Sequence, residues 1–125
     1  MLVERAEGFA TEDECRRAYS EINEFERQIV DRGILLLKFW LHIDKEEQLK
    51  RFKKREASPY KHWKLTEEDW RNRELWEAYQ QFGQDAIQYT STQKAPWILV
   101  EANNKYFARL KVVQTVMDHL RKRVD

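Results

Sequence analysis

Between residues 11 and 33 the apolar positions Cys15, Ala18, Tyr19, Ile22, Phe25 and Ile29 return every three or four residues, the period of one helix face. Thr11 followed by Glu14 reads as a capping box, and Gly33 supplies the stop. The stretch 34–41 is apolar except for Lys38 and is bounded by Gly33 and Asp44. Such a run predicts a strand covered on both faces, as in a parallel sheet. Asp44 with Glu47 opens a second helix that reaches about Glu56 and is broken by Ser58-Pro59. Its acids lead and its bases trail, which suits the helix dipole. Thr66 with Asp69 opens a long third helix carrying Trp70, Leu75, Trp76, Tyr79, Phe82 and Ala86 on related faces. A loop from Thr90 to Pro96 leads to a short strand over 97–100, an Asn103-Asn104 turn and a last helix. In that helix Tyr106, Leu110, Val113, Met117, Leu120 and Val124 step by four and three, a continuous apolar stripe.

Strands separated by helices predict parallel pairing and an α/β layer architecture. Two strands are too few for a stable open sheet, so either a partner completes it or the chain is a piece of something larger. With 125 residues there is room for one core. No apolar run spans a bilayer, and residues 1–7 carry charges where a signal peptide needs an apolar centre. A single cysteine, Cys15, forms no internal disulfide and sits on an apolar helix face, where a small buried residue is expected rather than a nucleophile. A soluble cytoplasmic domain without a membrane partner is the expectation. His42, His62 and His119 have no metal-ligand spacing with carboxylates or Cys15, so no metal site is expected.

Charge changes the picture. From Gln48 to Lys64 there are seven cations against Glu56 alone, a local charge of +6; with +1 for the whole chain, the remainder carries −5. A concentrated cationic segment on an acidic chain points to an anionic partner bound locally. Arg51 and Arg55 stand one helical turn apart with Lys54 beside them, Lys50 falls off that face, and Lys61 and Lys64 follow in the link. A solvated basic helix end is the plainer reading of the same residues. Tyr60, His62 and Trp63 alternate with Lys61 and Lys64, a pattern seen in single-strand nucleic-acid binders, but packing of helix-flanking aromatics accounts for it and no nucleic-acid partner is expected. Lys38, inside an apolar strand, is expected to snorkel or to meet a carboxylate.

Four stretches in order resemble the polyphosphate kinase 2 family. They are Leu2-Val3-Glu4-Arg5 with Glu7-Gly8-Phe9; Lys38-Phe39-Trp40-Leu41-His42-Ile43 running into Lys45-Glu46-Glu47-Gln48; Arg51-Phe52 with Arg55, Pro59, Lys61 and Trp63-Lys64-Leu65; and Ala95-Pro96-Trp97 with Val100 to Ala102, Lys105 and Ala108-Arg109-Leu110. The resemblance implies that residues 1–125 are the C-terminal part of such a domain: a partial P-loop kinase-type α/β fold, two parallel strands with flanking helices and a helical lid over about 44–72. It implies transfer of phosphoryl groups between inorganic polyphosphate and a nucleoside mono- or diphosphate, without a covalent enzyme intermediate, and Mg²⁺ in the full-length enzyme. The family's glycine-rich Walker A loop and its Walker B aspartate have no counterpart here, where the glycines are Gly8, Gly33 and Gly83. The chain is therefore expected to be a truncated piece, inactive alone.

By the same resemblance Arg51, Lys54, Arg55, Lys61 and Lys64 are expected to grip phosphates, and Arg5 and Glu7 to face the nucleotide. No residue is assigned as a nucleophile or metal ligand. Two other readings stay open: a non-catalytic polyanion-binding module, and a fragment of a thymidylate-kinase-like nucleotide kinase. Homo-oligomerisation is left open as well.

Overall fold

The computed structural model describes residues 2–61, 63 and 66–124, Val3 by its backbone alone. The elements are α1 (Leu2–Ala6), α2 (Glu12–Asp31), β1 (Lys38–His42), α3 (Lys45–Ala57), α4 (Glu67–Glu74), α5 (Trp76–Thr90), β2 (Trp97–Glu101) and α6 (Lys105–Val124). The expected caps are in place. Thr11 Oγ1 accepts the Glu14 N–H at 3.2 Å, Asp44 Oδ1 accepts the Glu47 N–H at 2.8 Å, and Thr66 and Asp69 form a reciprocal capping box. Gly33, just after α2, has a φ of 92°, a conformation that side chains with a Cβ rarely adopt.

β1 and β2 pair in parallel, from Lys38 opposite Trp97 to His42 opposite Glu101. The Ala102 N–H extends the ladder by donating to the His42 carbonyl at 2.7 Å. The first strand is thus shorter than the apolar run 34–41 predicted, and starts four residues later. Pro96 has no N–H to donate, and the preceding loop is closed on itself by the Ala95 N–H donating to Thr92 Oγ1 at 3.1 Å; residues 34–37 consequently face no partner strand among the described residues. The expected single long third helix is two helices that change direction at Leu75, where neither Pro nor Gly stands. Two bonds, Leu75 N–H to Arg71 O at 3.2 Å and Tyr79 N–H to Leu75 O at 3.0 Å, carry the ladder across the bend. Helix α1 has no counterpart in the sequence-based expectation.

Alternation puts Phe39, Ile43, Val100 and Ala102 on the face covered by α6, where they pack with Ala108 and Val112 around a fully buried Val100. Trp40 and Leu99 point to the other face, covered by α5. There Gly83 lets the helix approach so closely that a Cβ at this position would lie 2.9 Å from Trp40 Cζ2. The strands are not covered completely on either face: Leu41 and Leu99, on opposite faces, are 61% and 53% exposed. Cys15 is buried, as expected. Among the described residues no helix is long and apolar enough to cross a membrane.

Candidate functional site: a cationic cleft at the carboxyl ends of the strands

Helix α3 starts where β1 ends, and α6 starts where β2 ends, so the parallel register brings their first turns together. The joint is bonded: Asn103 Oδ1 accepts the Asp44 N–H at 3.0 Å, and Asn103 Nδ2 donates to Asp44 Oδ2 at 2.8 Å. These bonds, with the Glu47 N–H as the first cause, hold the Asp44 carboxyl below the usual range. Phe52 is buried against Trp70, ring centroids 5.2 Å apart and edge to face, and Arg73 Nη1 donates to the Lys45 carbonyl at 2.7 Å. Together they fix the rotation of α3 on α4.

With the helix so placed, Lys50, Arg51 and Lys54 from α3 face Lys105 and Arg109 from the first turns of α6 across a cleft of about 580 Å³, also lined by Glu47, Asn103, Asn104 and Tyr106. Arg51 is the innermost anchor. Its Nε donates to Glu47 Oε1 at 3.0 Å, and its Nη2 donates to the carbonyls of Ala102 at 2.6 Å and Asn103 at 3.1 Å. Asn104 Oδ1 caps α6 by accepting from the N–H groups of Tyr106 at 2.9 Å and Phe107 at 3.1 Å. The N-terminal end of a 20-residue helix adds its partial positive charge to the same cleft. Crowding of like charge shows in Lys105, whose ammonium is held below the usual lysine range by Arg51 first, then by loss of hydration and by Lys54, Lys61 and Arg109. An arrangement of this kind, at the carboxyl ends of parallel strands, attracts multivalent anions.

The residues singled out in the sequence divide in the structure. Arg51 and Lys54 line the cleft, and the charge of Lys61 reaches Lys105 from the turn after α3. Lys50, placed off the face by helical spacing, lines the cleft too; the far wall supplied by α6 widens the concavity beyond the arc that α3 alone defines. Arg55 is half-buried and is not part of the lining. Lys64 lies outside the described residues. Lys105 and Arg109 were not assigned a role from the sequence. Their signal is their place in the first turns of a helix that follows a strand end.

Arg5 and Glu7 are on other elements. Arg5 Nη1 donates to Asp85 Oδ2 at 3.1 Å and to the Tyr19 hydroxyl at 3.2 Å, with its guanidinium 4.3 Å from the Phe82 ring centre. Glu7 pairs with Arg71 at 3.3 Å. Arg5 ties α1 to α2 and α5, Glu7 ties the turn after α1 to α4, and neither lines the cleft. Lys38 meets a carboxylate, as expected: its buried Nζ donates to Glu26 Oε2 at 2.8 Å and to the Thr90 carbonyl at 2.6 Å. Among the described residues no three His, Cys, Asp or Glu side chains are grouped to hold a metal ion. The cleft itself does not fit Mg²⁺, because cations surround it and Glu47 is bound to Arg51.

Parallel strands between helical layers, with a cationic cleft where the strands end, define a doubly wound α/β layer. The whole chain, residues 1–125, matches the family described as Polyphosphate kinase 2 (PPK2), and the chain belongs to that family. It is 55% identical over 118 residues to the polyphosphate:AMP phosphotransferase of Pseudomonas aeruginosa and 51% identical over 122 residues to that of Pseudomonas syringae pv. tomato; these cover 94% and 98% of this chain. The chain spans 24% of the length of each of these relatives. The crystal structure of polyphosphate kinase 2 from Arthrobacter aurescens superimposes with a TM-score of 0.94 at 39% identity, covering 97% of this chain and 43% of that one.

Proposed function

We propose that this chain is the phosphate-gripping part of a phosphotransferase that moves phosphoryl groups between inorganic polyphosphate and a nucleoside mono- or diphosphate. The observation that carries it is the meeting of Lys50, Arg51 and Lys54 with Lys105 and Arg109 in one cleft. Phosphoryl transfer depends on positioning the anion and neutralising its charge, and five cations on two converging helices do both for a chain of phosphates. Arg51 has its fork committed to two carbonyls and to Glu47, so its part is to hold the wall in place while contributing field. Lys50, Lys54, Lys105 and Arg109 contact the phosphate oxygens. Lys61, in the turn after α3, closes over the bound chain. The names of the relatives support polyphosphate as donor.

Two measurements test the reading. Calorimetric titration of this chain with short polyphosphate should show binding that weakens steeply with added salt, because each neutralised phosphate releases counterions. Replacing the matching segment of the P. aeruginosa phosphotransferase by this chain should leave a chimera that phosphorylates AMP. Lys54→Glu with Lys105→Glu in that chimera should remove the activity. A folded chimera that stays fully active with both charges reversed overturns the reading. Binding without any transfer by the unaltered chimera would leave a non-catalytic polyanion module.

A further inference from the structure

Lys105 is an amine set among cations. It is the exposed first residue of α6, on a wall of the cleft shared with Arg109, one turn further along the same face. The charges that act on it are Arg51 first, then Lys54, Lys61 and Arg109, all of them positive. Glu47, the acid among the described lining residues, is bound to Arg51 at 3.0 Å. The amide end of α6 adds partial positive charge at the same place. Lys50 and Lys54 stand differently, in the middle and the last turn of α3, toward the carbonyl end that favours an ammonium. A lysine crowded by cations gives up its proton more readily than an isolated one, and enzymes activate amine nucleophiles by the same means. An amine alone does not select its reagent. Here the cations that favour the neutral amine also hold phosphate, so a donor whose leaving group is a phosphate is bound with its reactive carbon beside the nucleophile.

We infer that Lys105 is a modification site, acylated by small acyl phosphates that the cleft holds by their phosphate, and that the acyl group turns polyphosphate binding down. The inference rests on the reading of the cleft as a phosphate site. In the step, the Nζ lone pair forms a bond to the acyl carbon, and the bond from that carbon to the bridging oxygen breaks. The electron pair of the broken bond leaves on inorganic phosphate, and the proton lost from nitrogen goes to solvent. The product is a neutral amide. It removes one cation from the cleft and with it one partner for a phosphate oxygen.

The test treats this chain with acetyl phosphate and, in parallel, with the uncharged donor N-acetoxysuccinimide, and follows acetylation of each lysine by peptide mass spectrometry. With acetyl phosphate, Lys105 should react about fivefold or more faster than Lys50 or Lys54. With the uncharged donor, which the cations cannot hold, that preference should shrink markedly. Excess inorganic phosphate should slow the first reaction at Lys105 and leave the second unchanged. Chain acetylated at Lys105 should bind short polyphosphate with a salt slope smaller by about one, the loss of a single phosphate contact. The same treatment should not alter the slope of Lys105→Arg. Equal rates at the three lysines overturn the inference, as does an equal preference with the uncharged donor or unchanged binding once Lys105 is acetylated. Titration of the untreated chain with polyphosphate keeps the two readings apart. Binding without selective acetylation sinks this inference alone, whereas selective acetylation of a chain that binds no polyphosphate sinks the phosphotransferase reading alone.

Discussion

Arg51 Nη2 stands 2.6 Å from the carbonyl of Ala102, so the helix that follows β1 is bolted through one guanidinium to the end of β2. A lysine keeps the charge but cannot serve Glu47 and two carbonyls with one planar fork. Arg51→Lys is therefore expected to weaken polyphosphate binding by about tenfold at unchanged charge, roughly the loss of one charge-assisted hydrogen bond. Arg55→Lys, outside the lining, should change it little, and Lys50→Gln should weaken it clearly. Calorimetry on the three variants at one salt concentration checks the order.

Lys105 supplies a pH signature. Its cationic neighbours, Arg51 first, hold its pKa below the ordinary lysine value of about 10.4. A depressed lysine pKa means that protonation strains the folded state, and the strain disappears as pH climbs above the folded value. Bound polyphosphate reverses the balance by favouring the charged form. Affinity should hold steady near neutrality and begin to fall in the alkaline range, at a lower pH than for Lys105→Arg. Proton uptake on binding, measured in buffers of different ionisation enthalpy, should appear over the same pH range as that fall and be absent in Lys105→Met.

Asp44 caps α3 and also receives Asn103 from the start of α6. Its lowered pKa contributes stability that is present above the unfolded carboxylate value and lost as pH falls through the lower folded value. Asp44→Ala should lower the urea midpoint, the ordinary loss of an N-cap. Asp44→Asn keeps an acceptor for the Glu47 N–H and should cost less at neutral pH.

The buried pair of Lys38 and Glu26 is expected to be the most sensitive point outside the cleft. Lys38→Ala leaves the Glu26 carboxylate and the Thr90 carbonyl without their cation, and should destabilise by about 3–5 kcal/mol. Thermal unfolding of the single variant and of Lys38→Met with Glu26→Gln separates the pair from its burial. If the single variant melts like the parent, the pair carries no stability.

Gly83 lies in mid-helix, where alanine ordinarily gains about 1 kcal/mol. Here the added methyl meets Trp40, itself in edge-to-face contact with Trp97 at 5.8 Å. Gly83→Ala should be destabilising overall, by about 1–2 kcal/mol, because an overpacked indole has to move. A raised urea midpoint would contradict this.

The local signals in the sequence carried far. Thr11, Asp44 and Thr66 mark the true starts of α2, α3 and α4, because a cap is a short-range bond between residues three apart. Parallel pairing followed from the helices between two apolar runs. Less legible were features decided by distant residues. Pro96 sets where β1 starts, though it lies more than 50 positions from it. The bend at Leu75 has no Pro or Gly to announce it. In the site, the α3 cations were visible as a charge run, whereas Lys105 and Arg109 are ordinary helix residues until the sheet register brings them opposite. The apolar stripe of α6 was legible as a pattern, but its outward direction was not. Periodicity reports a face without saying what covers it.

The register of Lys38 with Trp97 has a consequence for synthesis. β1 has no hydrogen-bonded neighbour among the described residues except β2, which lies 59 positions later. At translation rates of about 5–20 residues per second, the nascent strand waits several seconds for its mate. Throughout that interval the stretch 34–43, apolar but for Lys38 and His42, holds the edge that will pair with β2 without its mate. Such a segment is a binding target for chaperones that hold extended apolar chain. Slowing elongation between residues 45 and 96 should therefore raise the aggregated fraction, whereas slowing it after residue 101 should not.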